Sequence, residues 1–583
     1  MHEFTVWAPK AKSVSVKVGD GLFAMQGPDQ RGWWKAAVEN AGAGSEYGFQ
    51  LDDDSGVYPD PRSAWQPNGV HGRSRVYDHK AFEWHDARWQ APPLASAILY
   101  EMHVGTFTAE GTFDSAIERL DYLFELGVTH IELMPVAAYA GDRGWGYDGV
   151  ALFAVTENYG GPDALKRFVD ACHVRGLSVV LDVVYNHFGP VGAYAGKFGP
   201  YLTDRHCTPW GDAVNFEGRG SDEVRRFFCD NAIMWMRDFH IDGLRLDAIH
   251  EFIDRSAIHF LEQLSAEVDV LAATLGGRLV LIAESDLNDP RVVRPREAGG
   301  FGIDAQWSDD FHHALFTLLH VEEGGAGYYD DFGSFEKLVK SLKHIFVYDG
   351  EYSRYRRRRH GRPVDGLSAH HFIGFMQNHD QVGNRATGER LEHIVGKDLA
   401  RVAAGIVLTA PFVPLIFQGE EFAASTPFLY FADHEDPEMA KMVSVGRRRE
   451  FAAFGFAGQQ QVPDPEARDT FDRSKLSWQE VDQGSHKQML EWFRSLIHLR
   501  RNSISLNDGD IGHTKVRCSE ENRWLVMDRG GVQVLANLGQ QDASFDVPQE
   551  YRVALVSRDG VGIIGGKIAV PPTTLAILSS EAE

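Results

Sequence analysis

Short, continuously apolar runs alternate with amphipathic stretches through the middle of the chain. ILYEMHV (98–104), THIELMPV (129–136), LSVVLDVV (177–184), GLRLDAI (243–249), LVLIAES (279–285), FGIDAQW (301–307), HFIGFMQN (371–378) and FVPLIFQG (412–419) are bounded by Gly or polar residues. Runs of this length and character read as parallel strands buried on both faces. Between them FDSAIERLDYLFELG (113–127), DALKRFVDACHVRG (163–176), SDEVRRFFCDNAIMWMRDF (221–239) and HKQMLEWFRSLIHLRR (486–501) carry apolar residues at helical spacing. Gly127 suits the C′ position of its helix and Ser221 an N-cap. Eight strands with intervening helices predict an α/β fold, a (β/α)8 TIM barrel spanning residues 89–502.

Residues 1–88 follow a different pattern. FTVWAP (4–9), VSVKV (14–18) and YGFQL (47–51) alternate apolar and polar positions between Gly, Asp and Asn, which predicts a β-sandwich module. WQAPPLAS (89–96) marks its boundary, since paired prolines cannot continue regular structure. Residues 503–583 return to short alternating runs and predict a C-terminal antiparallel β-domain. The Gly-rich stretch 187–220 is expected to be a short inserted subdomain beside the cleft, and 420–484 an irregular segment closing the barrel.

Charge and composition narrow the partners. The 583 residues carry a net charge of −25, so a nucleic-acid partner, which needs a basic face, is not expected. Four cysteines without CxxC spacing predict neither a disulfide framework nor a zinc site. The N-terminus has no basic region followed by an apolar one, and the most apolar stretch, 403–417, holds Pro411 and Pro414 and is too short for a span. A cytoplasmic protein without membrane or cofactor is the expectation.

The chemistry gathers at the strand ends. Asp247 closes GLRLD, Glu284 closes LVLIAE, and Asp380 follows FIGFMQNH. In a parallel barrel these ends form the active-site face, and an unpaired buried carboxylate is costly unless it has a use. Arg245, two residues before Asp247 on a strand, points to the same face and favours the ionised carboxylate. Glu284 has no cation at that spacing, so a raised pKa and a proton-donor role are expected. DVVYNH (182–187) adds Asp182, Asn186 and His187, and NHD (378–380) adds His379.

With these four segments in this order, the chain resembles the α-amylase family of glycoside hydrolases over roughly residues 97–500. The resemblance implies Asp247 as nucleophile, Glu284 as general acid/base and Asp380 as the acid that grips sugar hydroxyls. It implies Arg245, His187 and His379 around the attacked glucose, with Tyr147 of GWGYD (144–148) as a platform below it. A retaining mechanism follows, with the two carboxyl groups about 5–5.5 Å apart. The family's calcium-binding Asn corresponds to Asn186, but 187–220 is short, so Asn186 is read as structural and no metal is expected.

DAQWSDDFHHAL (304–315), TPFLYFADHEDPEMAKMVSVGRRREFAAF (426–454) and RSKLSW (473–478) are similar to trehalose-releasing members of that family. This implies cleavage of the α-1,4 bond next to the terminal trehalose of maltooligosyl-trehalose, with trehalose as product and a functional pairing with maltooligosyltrehalose synthase. The leaving-side pocket is expected to use Trp307, Asp309, Asp310, His312, His250, Glu251 and Asp286. A 1,4-α-glucan branching enzyme, using the same acids, and a non-catalytic glucan-binding protein are the alternatives. Of Trp33 and Trp34, adjacent on a strand, one is expected in the core. RYRRRRHGRP (354–363) is read as a solvated loop or a partner for local acids. Cys172 and Cys229 are read as helix core, and Met134 and Phe417 as barrel core.

Overall fold

The computed structural model describes residues 1–320, 327–453 and 462–581. Eight parallel strands close into a barrel: β1 (Leu99–Met102), β2 (His130–Leu133), β3 (Ser178–Val183), β4 (Gly243–Leu246), β5 (Val280–Ala283), β6 (Ala305–Trp307), β7 (Phe372–Phe375) and β8 (Val413–Phe417). Each strand lies within one of the eight apolar runs. β8 pairs with β1, Leu415 opposite Leu99, and so leaves no edge. Leu99, Val180, Ile282, Ala305, Trp307, Ile373, Phe375, Val413 and Leu415 form the inner core.

Helix boundaries bring three corrections. The stretch 113–127 forms two helices, Phe113–Ile117 and Leu120–Leu126, because an i→i+3 bond from Arg119 N to Ala116 O (3.0 Å) tightens the chain between them. Gly127 ends the second with φ 99. Ser221 is the first helical residue of Ser221–Asp238; the N-cap is Gly220 at φ 83. The segment 420–484 is not irregular throughout, since Pro437–Ala453 is a helix; Phe454 and the residues to 461 lie outside the described ones.

At the N-terminus, His2–Trp7 pairs with Trp33–Val38, and a second sheet runs Gly21–Ala24, Val14–Val18, Glu46–Leu51, Ser74–Arg75. Phe4 meets Tyr47 between the sheets at 4.8 Å. Trp34 is core, whereas Trp33 reaches the barrel and donates to Glu223 at 3.0 Å. Residues 514–579 form a five-stranded and a three-stranded antiparallel sheet. Buried Arg529 donates to Thr409 O, joining these sheets to the helix Lys397–Thr409.

Behind β8, three buried glutamates surround one buried arginine, Arg390. Burial pushes Glu392 and Glu421 up to about 7 and Glu420 up to about 8. These folded-state values lie above the unfolded carboxylate range, so their stabilising contribution is present at low pH and lost as pH rises through 7–8. Stability is therefore expected to fall as pH rises from 6 to 8. Denaturant midpoints across that range measure it, and Glu392→Gln should flatten the slope; an unchanged midpoint in the wild type contradicts the assignment.

Candidate active site

Arg245, on β4, is the hub at the C-terminal ends of the strands. It is fully buried, and its Nη1 donates to Asp182 Oδ2 (2.8 Å) and Asp247 Oδ1 (2.7 Å) while Nη2 donates to Glu284 Oε2 (3.1 Å). Its guanidinium lies 4.4 Å from the Trp307 ring centroid. Glu284 has no cation two residues before it on its own strand, and Arg245 reaches it from the neighbouring strand, a pairing that spacing along one strand does not reveal. Glu284 still sits above its usual range. Burial is the largest cause, and the Asp247 and Asp380 carboxylates add to it, against the pull of Arg245. Glu284 Oε2 also accepts from Ala248 N at 2.8 Å, and Ala248 adopts φ 40. A left-handed alanine is strained, and here that conformation places its N–H beside the acid.

Asp247 is held twice by Asn186, whose Nδ2 donates to Asp247 Oδ2 (2.7 Å) and O (2.9 Å). Asp182 is pushed up to about 7, chiefly by burial. Asp380, by contrast, is only half-buried and accepts from Asn384 at 2.9 Å. Tyr147 OH donates to Asp182 (2.6 Å) and lies 2.7 Å from His379 Nε2. The turn presenting it needs glycine: Gly146 has φ 100, and a Cβ there would lie 2.2 Å from Pro135 O. His187 touches Asn186 and stacks on Trp210, which stands at the tip of the Leu202–Val214 hairpin, at 4.7 Å and 10°.

The outer cleft is built differently from the sequence-based expectation. Asp286 is not free for substrate, because Arg356 of the hairpin Asp349–Gly361 holds both its oxygens, one at 2.7 Å. Arg356, read as part of a basic run, is therefore an inward-facing residue that periodicity could not single out. His250 Nδ1 accepts from Asp286 N at 3.4 Å, and Glu251 lies beside it, half-buried. Asp309 is partly exposed. Burial first, then Glu284, Asp380, Asp310 and Asp286, push its carboxyl well above the usual range. Tyr328 is near the same acids and Arg356.

Three expected pocket residues are elsewhere. Trp307 is 2% exposed and belongs to the barrel core under Arg245, because its strand position points inward. Asp310 turns away from the cleft and accepts from Asn288 Nδ2 (2.8 Å), Val347 N (2.7 Å) and Tyr348 N (2.9 Å). It anchors the 346–348 segment. His312 is buried against Phe375 and Phe316. On the helix Asp309–Leu319 only one face meets the cleft, so of DDFHH only Asp309 is presented.

Fold and site together define a barrel glycoside hydrolase. Residues 65–198 match the family model described as α-amylase catalytic domain. The chain is 46% identical to malto-oligosyltrehalose trehalohydrolase of Rhizobium sp. (strain M-11), over 99% of this chain and 97% of that one. It is 49% identical to the protein of that name from Arthrobacter ramosus, over 86% and 87%. It therefore belongs to the malto-oligosyltrehalose trehalohydrolase family. A 1,4-alpha-glucan branching enzyme of Geobacillus stearothermophilus is 28% identical over 72% of this chain and 67% of its own length. The crystal structure of a putative alpha amylase from Salmonella typhimurium superposes with a TM-score of 0.90 at 36% identity, covering 99% and 97%.

Proposed function

We propose that the cleft hydrolyses the α-1,4-glucosidic bond next to the terminal trehalose of maltooligosyl-trehalose, releasing trehalose and a maltooligosaccharide. The observation that carries this reading is the near full-length likeness to trehalohydrolases, joined to a site whose two inner acids share one arginine. Asp247, held by Arg245 and Asn186, attacks the anomeric carbon as Glu284 gives its proton to the leaving oxygen. Glu284 then takes a proton from water, which displaces Asp247 and restores both groups. Asp380 engages sugar hydroxyls from the open side. No helix among the described residues is long and apolar enough to cross a membrane. We place the protein in the cytoplasm, paired functionally with the synthase that makes its substrate.

The leaving side reads the trehalose hydroxyls. Asp309, its carboxyl raised by burial and then by the neighbouring acids, both donates and accepts a hydrogen bond, and His250, Glu251 and Tyr328 line the approach. A site built on such bonds rejects ligands without the matching hydroxyls. Digestion of maltotriosyl-trehalose is expected to give trehalose and maltotriose with no glucose. Asp309→Ala should lower the preference for that substrate over maltopentaose by roughly tenfold or more. Glucose as a main product, or branched glucan made from amylose, overturns the reading; an unchanged preference in Asp309→Ala overturns this assignment of the pocket.

A further inference from the structure

Glu101, on β1, is 1% exposed and spends both carboxylate oxygens on one residue. Oε2 accepts from the backbone N of His379 at 2.8 Å, and Oε1 lies 2.5 Å from its ring Nδ1. No other hydrogen bond to that carboxylate is present among the described residues. The other side of the ring is also committed. Nε2 lies 2.7 Å from Tyr147 OH, and that hydroxyl gives its single proton to Asp182 Oδ2. Asp182 Oδ2 already accepts from Arg245.

At pH 8, above the value of about 7 to which Asp182 is pushed, and with Glu101 as a carboxylate, counting protons along this chain leaves one solution. A carboxylate facing Nδ1 requires a proton on Nδ1. A hydroxyl whose hydrogen points elsewhere requires a proton on Nε2. Both ring nitrogens are donors only in the imidazolium form. We infer that Glu101 is a positioning residue which holds His379 as a doubly protonated imidazolium, its Nε2–H fixed at the base of the cleft beside Asp380. The inference rests on the reading of the cleft as a glycosidase site, though its central measurement does not depend on activity.

The surroundings of the ring set the balance. Glu101 and Asp380 favour the charge, with His379 Nε2 3.6 Å from Asp380 Oδ1, while burial and Arg245 oppose it. Glu132, on β2, carries one buried oxygen without a partner and is pushed well above its usual range by burial and by Glu101. Among the groups facing the ring it is thus a neutral acid. Asp182 on β3 and His103 beyond β1 complete them, and burial lowers His103 to about 4, so it is also neutral. Against burial and Arg245, Glu101 and Asp380 prevail, and His379 rises to about 9.

A fixed cation at this place does two things. It holds the Tyr147 hydroxyl with a charged N–H donor, so that this hydroxyl stays turned toward Asp182, and it sets a positive charge 3.6 Å from Asp380 at the base of the cleft. A neutral imidazole with one proton on Nδ1 would present a lone pair to Tyr147 instead and draw its proton away from Asp182.

The test has two arms. Histidine-selective 15N NMR of the wild-type protein at pH 8, with the resonance assigned by His379→Gln, is expected to show both ring nitrogens protonated. A neutral ring at that pH overturns the inference whatever the enzyme's activity. Glu101→Gln keeps the shape and removes the charge. It is expected to lower kcat/KM about 10- to 100-fold, the range seen when a carboxylate that orients a working side chain is lost. It should also lower the pH at which the His379 ring loses its second proton, read by the same 15N resonances, while Glu101→Asp restores it. A Glu101→Gln enzyme that loses activity while its His379 ring titrates as in the wild type has a merely structural glutamate, which also overturns the proposal.

Discussion

Asp247→Ala is expected to lower kcat by about 10⁴-fold or more while leaving the protein folded, as removal of a covalent nucleophile does elsewhere. The physical ground is the specific way this carboxylate is held. It is 8% exposed, one oxygen accepts from Arg245 Nη1 at 2.7 Å and the other from Asn186 Nδ2 at 2.7 Å. The two donors fix the direction in which the carboxylate is aimed. Truncation frees Arg245 from one partner only, since Asp182 and Glu284 remain, so the fold keeps its central pairing. KM should change little.

Azide discriminates the roles of the two acids. In Asp247→Ala, added azide can fill the space of the lost carboxylate and attack directly, giving a glycosyl azide of inverted configuration. In Glu284→Ala, azide instead displaces Asp247 from the glycosyl-enzyme and gives the retained product. Rescue with the opposite stereochemistry in either variant would sink the assignment.

The barrel was legible because each strand is buried on both faces, which leaves continuous apolar runs that length and bounding glycines delimit. The acids were legible because a charge closing such a run is costly without a use. What lay hidden depends on which way a side chain faces and on pairing across the chain. Trp307 and Asp310 are two and one residues from the helix-start positions that meet the cleft, yet one enters the barrel core and the other staples residues 346–348. Asp286 meets Arg356 across seventy residues, and nothing in a run of arginines says which one turns inward. Glu101 is hidden by its company: within LYEM it looks like an ordinary polar interruption of a strand, and only the closed barrel brings it to His379. Asn186 was read as structural, and its two bonds to Asp247 show that structure and chemistry are one task at that position.

Arg245→Met is expected to have the largest effect on stability. The substitution keeps volume and the contact with the Trp307 ring but removes the one cation shared by Asp182, Asp247 and Glu284. Breaking a buried ion pair by deleting one partner costs about 3–5 kcal/mol, because the remaining charges have no compensation. Here three carboxyl groups are left together, so Asp182 and Glu284, already raised, must rise further from their unfolded values. A carboxyl raised in the folded state contributes its stability at low pH and loses it as pH increases. The gap between variant and wild type should therefore be small near pH 5 and widen toward pH 8, where Asp182, already at about 7 with the arginine present, would have to ionise against its neighbours. Activity is expected to fall with it, since Asp247 loses the donor that aims its carboxylate at the proposed reacting carbon. Arg245→Lys is expected to recover part of the stability and little of the rate, because one ammonium cannot reach the three acids that the planar guanidinium fork spans. Denaturant midpoints of the three proteins at pH 5 and pH 8 decide the matter: if Arg245→Met matches the wild type at pH 8, the guanidinium is not what allows these carboxylates to share one site.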